Sequence, residues 1–133
     1  MSDEISQAAA LREAFDQIEE SYEFMLAYAA QGRKVETQEG GGESQIRQYL
    51  RRFESALADM DKAIGPGFGD AGKAFKAQVQ RDIEVARSVV QLLLARESIS
   101  SDMIDNTNGL IALRALLTDI FYLDQTVLPT RRC

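Results

Sequence analysis

Apolar side chains recur along this chain at alternating spacings of four and three residues, the period that gathers them on one side of an α-helix. Leu11, Phe15, Ile18, Tyr22, Met25 and Ala29 form the first such stripe, with Glu13, Asp16, Glu20 and Glu23 opposite it. The pattern predicts a helix over about residues 3–32. Ser2 is placed to cap it, Asp3 and Glu4 sit where the helix dipole favours anions, and Gly32, Arg33 and Lys34 mark its end. Ile46, Leu50, Phe53, Leu57, Met60 and Ile64 repeat the spacing and predict a helix over 44–64, stopped by Gly65-Pro66-Gly67. Phe75, Val79, Ile83, Ala86, Val90 and Leu93 predict a third over 70–97, with Asp70 as its cap. The last runs from a Ser101-Asp102 cap, over 101–128, to Pro129. Within it, Asp105-Asn106-Thr107-Asn108-Gly109 breaks the apolar pattern, and a helix restart capped by Thr107 or Asn108 explains the break.

Residues 33–44 include Gly40-Gly41-Gly42 and are expected to form a mobile loop, because consecutive glycines hold neither helix nor strand at reasonable entropic cost. No strand-like alternation and no internal repeat appear. Four amphipathic segments with short or glycine-rich links predict an all-α fold, an antiparallel up-and-down four-helix bundle in a single domain spanning 1–133.

Charge refines that order. The chain of 133 residues carries 15 Lys+Arg against 21 Asp+Glu, for a net charge of −6. Residues 1–30 alone hold seven acids and one base, which makes Arg47, Arg51 and Arg52 natural neighbours of the first helix. With no basic face to offset phosphate repulsion, nucleic acid is not an expected partner. No apolar run approaches the roughly 20 residues of a membrane span, and the acidic start lacks the pattern of a secretory signal. A single cysteine, Cys133, allows no disulfide within the chain, which fits a reducing, cytoplasmic setting.

The absence of histidine narrows the chemistry further. It excludes imidazole acid–base catalysis, Ser-His-Asp and Cys-His nucleophiles, and the Glu-x-x-His ligand pairs of di-iron bundles. No catalytic residue, metal ligand or cofactor is assigned from the sequence.

Four features remain to be weighed. Gly67-Phe68-Gly69-Asp70-Ala71-Gly72-Lys73-Ala74 satisfies G-x-x-x-x-G-K, but Ala74 replaces the Mg²⁺-binding Ser or Thr and a helix precedes it instead of a strand, so it reads as a turn. Leu11-Arg12-x-x-Phe15-Asp16-x-Ile18-Glu19 resembles the first helix of the all-helical chorismate mutases. The cations with which that family holds its dianionic substrate have no counterpart at Ala29 or Gly40–Gly42, so the resemblance implies no such activity. Tyr22, Tyr49 and Asn108 would line an inter-helix pocket if the bundle binds a small molecule. The strongest feature is a second apolar row, Val85, Val89 and Leu92, on the third helix, beside a fourth that is apolar almost all round. A helix apolar on two sides needs cover on both. Homodimerisation through Val85, Val89, Leu92, Leu113, Leu117 and Ile120 is therefore expected. The function that follows is a non-enzymatic interaction or regulatory protein presenting a helical face to a protein partner. A ligand-binding bundle is the alternative, and an enzyme built on Asp, Glu, Arg or Tyr chemistry comes third.

Overall fold

A computed structural model of the chain describes residues 2–38, 42–65 and 68–128, and among these the regular structure is entirely helical. The elements are α1 (Ser2–Ala29), α2 (Gln45–Ala63), α3 (Lys73–Leu94), α4 (Ser101–Asn108) and α5 (Ile111–Thr126). The expected Pro66-Gly67 and Pro129 stops, the Gly40-Gly41 pair and Cys133 lie outside the described residues. None of the described helices is long and apolar enough to cross a membrane.

The stripes explain the packing. On α2, Ile46, Leu50, Phe53, Leu57 and Met60 are all buried, with Ala56 between them. On α3, Val79, Ile83, Ala86, Val90 and Leu93 point inward, whereas Phe75 lies only half-buried at the margin. On α1 the buried face is rotated from the expected one: Ser21 and Tyr28 are buried, while Tyr22 and Ala29 move to the edge. Ala14 is buried with Ser21 and Tyr28, and α1 packs most extensively against α2. α2 packs in turn on α3, α3 on α5, and α4 returns against α1.

The segment expected as one fourth helix is two. α4 ends at Asn108, Gly109 follows, and Leu110 in extended backbone precedes α5 without any side-chain cap. Thr107 and Asn108 do not cap the restart: the Thr107 hydroxyl donates to the Met103 carbonyl at 2.7 Å, and Asn108 Nδ2 donates to the Met25 carbonyl at 3.2 Å. Ser100, not Ser101, caps α4 by accepting from the Met103 N–H. Asp70 likewise does not cap α3, which begins after Gly72 with no side-chain cap.

Residues 68–72 make the tight turn into α3, closed by the Gly72 N–H on the Phe68 carbonyl at 3.1 Å. A Cβ at position 72 would stand 2.6 Å from that same carbonyl oxygen, inside any tolerable contact. Gly72→Ala should therefore destabilise the fold by about 1–3 kcal/mol, as overpacking does. The urea midpoint reads this directly, and an unchanged midpoint would show that the turn relaxes freely.

The segment between α1 and α2 is held at several points. Arg33 and Ser101 exchange hydrogen bonds: the Arg33 N–H donates to Ser101 Oγ at 2.8 Å, and the Ser101 N–H donates to the Arg33 carbonyl at 2.9 Å. Tyr28 adds its hydroxyl to the Ile99 carbonyl at 2.6 Å, while the Ser101 hydroxyl donates to the Tyr28 carbonyl at 2.7 Å. The Glu36 carboxylate accepts from Arg47 Nε and Nη2, from the Ser44 hydroxyl, and from the Ile99 N–H at 2.8 Å. Arg47 also reaches the carbonyls of Leu94, Arg96 and Glu97 at the end of α3. The expected mobile loop is thus pinned on both sides of its glycines. Of the three arginines expected beside α1, Arg52 alone pairs with it, on Glu20 at 2.7 Å; Arg47 takes Glu36 and Arg51 takes Glu43.

Candidate functional site

The inward stripe of α5, Leu113, Leu116, Ile120 and Leu123, is buried. The opposite side of the same helix carries Ile111, 81 % exposed, Phe121, 59 %, and Tyr122, 54 %. This corrects the expected contact set. Leu113 and Ile120 lie on the inward stripe and have no surface left to offer a second copy. Leu92 is 68 % exposed on α3, and Val85, Val89 and Leu117 are half-buried.

Two grooves flank α5. The first, of about 620 Å³, lies toward α1 and is lined by Glu19, Tyr22, Glu23, Arg114, Leu117, Thr118 and Phe121. The second, of about 670 Å³, lies toward the turn before α3, where Phe68, Gly72 and Phe75 face Thr118, Asp119, Tyr122 and Val127. Its aromatic rings are in contact. Phe75 meets Tyr122 edge to face at 5.4 Å between centroids, and Phe68 stands 6.2 Å from Phe75. Thr118 borders both grooves and so marks the ridge between them.

Asp119 lines the second groove and is hydrogen-bonded to Asp82 of α3, which lies outside the groove's lining. Asp119 on α5 and Asp82 on α3 are 7 % and 8 % exposed. Burial, hydrogen bonding to Asp82 and repulsion from it push the Asp119 carboxyl up to about 8. A second buried charge beside Asp82 is unfavourable, so the Asp119 carboxyl keeps its proton at neutral pH. Gln78 Nε2 donates to Asp82 Oδ1 at 2.9 Å and orients the α3 partner. Asp119 Oδ2 is buried without a hydrogen-bond partner among the described residues. Such a pair can hold a proton or an organic cation. Among the described residues, no three His, Cys, Asp or Glu side chains converge as a metal site.

The pocket residues expected from the sequence do not meet. Tyr22 lines the groove toward α1. Tyr49 stacks on Phe24 at 4.2 Å and carries the Arg52 guanidinium on its ring at 4.7 Å, so its face is already used. Asn108 is buried against the α1 backbone at Met25, with Oδ1 unpartnered. Glu13, Asp16, Glu20 and Glu23 are exposed, as solvated acids of an outer face. The Gly67–Lys73 motif follows α2, and its described part is the turn into α3.

Sequence reasoning missed Asp82 and Asp119, yet they left a signal. Each sits at inward-stripe spacing, three residues after Val79 and Leu116 respectively, where an acid has no solvent to face. No family model matches the chain, and comparison with curated proteins and solved structures found no match.

Proposed function

We propose that the chain is a non-enzymatic interaction module that works in the cytoplasm as a homodimer, two antiparallel helical bundles meeting through the outer side of α5 and the adjoining edge of α3. The observation that carries this reading is the exposure of Ile111, Phe121 and Tyr122 on a helix whose other side is already buried. Clustered exposure of large apolar groups is costly in water, at about 25 cal/mol per Å² left uncovered, and marks contact surfaces. Leu92, with the half-buried Val85, Val89 and Leu117, extends the apolar surface toward α3. A two-fold contact of ordinary size takes about 800 Å² per partner, roughly a tenth of the 8095 Å² surface.

The second copy is the favoured occupant because α5 is self-complementary. Its cation, Arg114, lies one turn before Thr118, and the acidic, aromatic groove lies one turn after. Sedimentation or light scattering across a dilution series tests this. The expected result is a species of twice the chain mass that weakens at least about tenfold in Phe121→Glu or Ile111→Glu, each about 1.4 kcal/mol or more of association energy. Both positions are exposed, so the variants should fold. A wild-type chain that remains monomeric throughout overturns the reading.

A further inference from the structure

The groove beside Asp119 has the features of a receptor for a planar cation. Its rim is aromatic, with Phe75 and Tyr122 in edge-to-face contact, and Asp119 is the one charged residue among those that line it. Asp82 adds a second acid next to Asp119, and no basic side chain is among the described residues that line the groove. A guanidinium suits this combination, because it stacks on aromatic faces and bonds carboxylates through two parallel N–H groups. α5 supplies such a group itself. Arg114 is its one cation, exposed on the groove on the other side of Thr118. Two copies of α5 crossing antiparallel at Thr118 set residues four before the crossing opposite residues four after it, which brings Arg114 over Tyr122 of the other protomer.

We propose that in the homodimer the partner's Arg114 enters the aromatic groove and binds the Asp82–Asp119 carboxyl pair, with the same contact made in reverse across the two-fold axis. The inference rests on the homodimer reading above and adds the residues that recognise the second copy. It implies that the Asp119 proton leaves to solvent as the guanidinium arrives. Asp82 from α3 is the charged group that acts on Asp119, Tyr122 is the other titratable side chain in the groove, and the turn contributes Phe68, Ala71 and Gly72, which do not titrate. Because the Asp119 carboxyl is held up to about 8, association should tighten as pH rises toward that value and level off above it. The gain is at most about tenfold per site for each pH unit.

Dilution series of the full chain between pH 6 and 9 test this, using wild type, Arg114→Ala, Asp119→Asn, and an equal mixture of the two variants. Each variant alone should dimerise at least about tenfold more weakly at pH 8, and Asp119→Asn should lose the pH dependence. The mixture should form a heterodimer tighter than either variant homodimer. One of its two contacts is rebuilt, since the chain carrying Asp119→Asn still has Arg114 and the other still has Asp119. A loss of packing alone would not be repaired by mixing. A wild-type dimer with no pH dependence, unchanged by Arg114→Ala, overturns the inference and leaves the homodimer standing. So does a mixture no tighter than its components. A monomeric wild type overturns both.

Discussion

Replacing Glu36 by alanine should lower the stability of the folded chain by about 3 kcal/mol, the usual result of removing one partner from a buried, hydrogen-bonded ion pair. The Glu36 and Arg47 side chains are 8 % and 15 % exposed, and the carboxylate ties its own segment to two other stretches of chain. It accepts from Arg47 at the start of α2, from the Ser44 hydroxyl that caps α2, and from the Ile99 N–H ahead of α4. Its own N–H donates to Ser98 Oγ at 3.1 Å. Without the carboxylate, Arg47 keeps the carbonyls at the end of α3 but loses its counter-ion, and the Ile99 N–H loses its acceptor. The effect also has a pH signature. Burial alone would raise the Glu36 carboxyl, but the hydrogen bonds from Arg47, Ser44 and Ile99 outweigh it and hold the group below its ordinary value. A depressed carboxyl contributes stability above its unfolded pKa, lost as pH falls through the folded one. Urea unfolding at pH 7 and pH 3 should therefore show a gap between wild type and Glu36→Ala that narrows in acid. A midpoint lowered equally at both would mean the loss is one of packing.

Asp119→Asn should act in the opposite direction and at the opposite end of the pH range. The raised Asp119 carboxyl binds its proton more tightly in the folded chain than in the unfolded one. That contribution is complete below the unfolded carboxyl range near 4 and is lost as pH climbs to about 8, where a second buried negative charge must form beside Asp82. The wild type should unfold at lower urea at pH 9 than at pH 5. An asparagine amide donates to Asp82 at any pH, so the variant should hold its midpoint at pH 9. The gain over wild type there should be on the order of 2 kcal/mol, the magnitude of a hydrogen bond to a charged group. If Asp119→Asn is weaker than wild type at pH 9, the Asp119 carboxyl is not held protonated beside Asp82 in the way described. Because Asp119 lies in the proposed contact, these measurements belong at chain concentrations low enough to keep monomers.

How much of this was legible beforehand depends on whether the signal is local. The α2 stripe is local: five apolar side chains in helical register, all buried as their spacing implied. The break at Gly109 was visible too, but not its cap, because Leu110 enters α5 through extended backbone and no side chain announces it. The α1 rotation was hidden because the small residues Ala14 and Ser21 carry little hydropathy and yet are buried. The acid pair and the Glu36 junction are products of topology. Asp82 and Asp119 are 37 positions apart, and Glu36 meets Ile99 across 63. Nothing within a helical turn of any of them names the partner. The outward side of α5 was half legible: the excess of apolar residues could be counted, but which of them face out depends on helix phase, and this excluded Leu113 and Ile120 from the surface.

The paired bonds among Tyr28, Arg33, Ile99 and Ser101 bear on how the chain reaches this structure. They join positions about 70 residues apart, so each encloses all of α2, all of α3 and the turn between them. Closing so large a loop is entropically expensive, and the expense falls before the bonds return anything. The end of α1 therefore cannot settle by itself. Its final geometry waits on the arrival of residues 99–101, and the segment ahead of α2 waits with it. The hydrogen bonds that look like tidying of a loop thus tie the first and last thirds of the chain into one cooperative event.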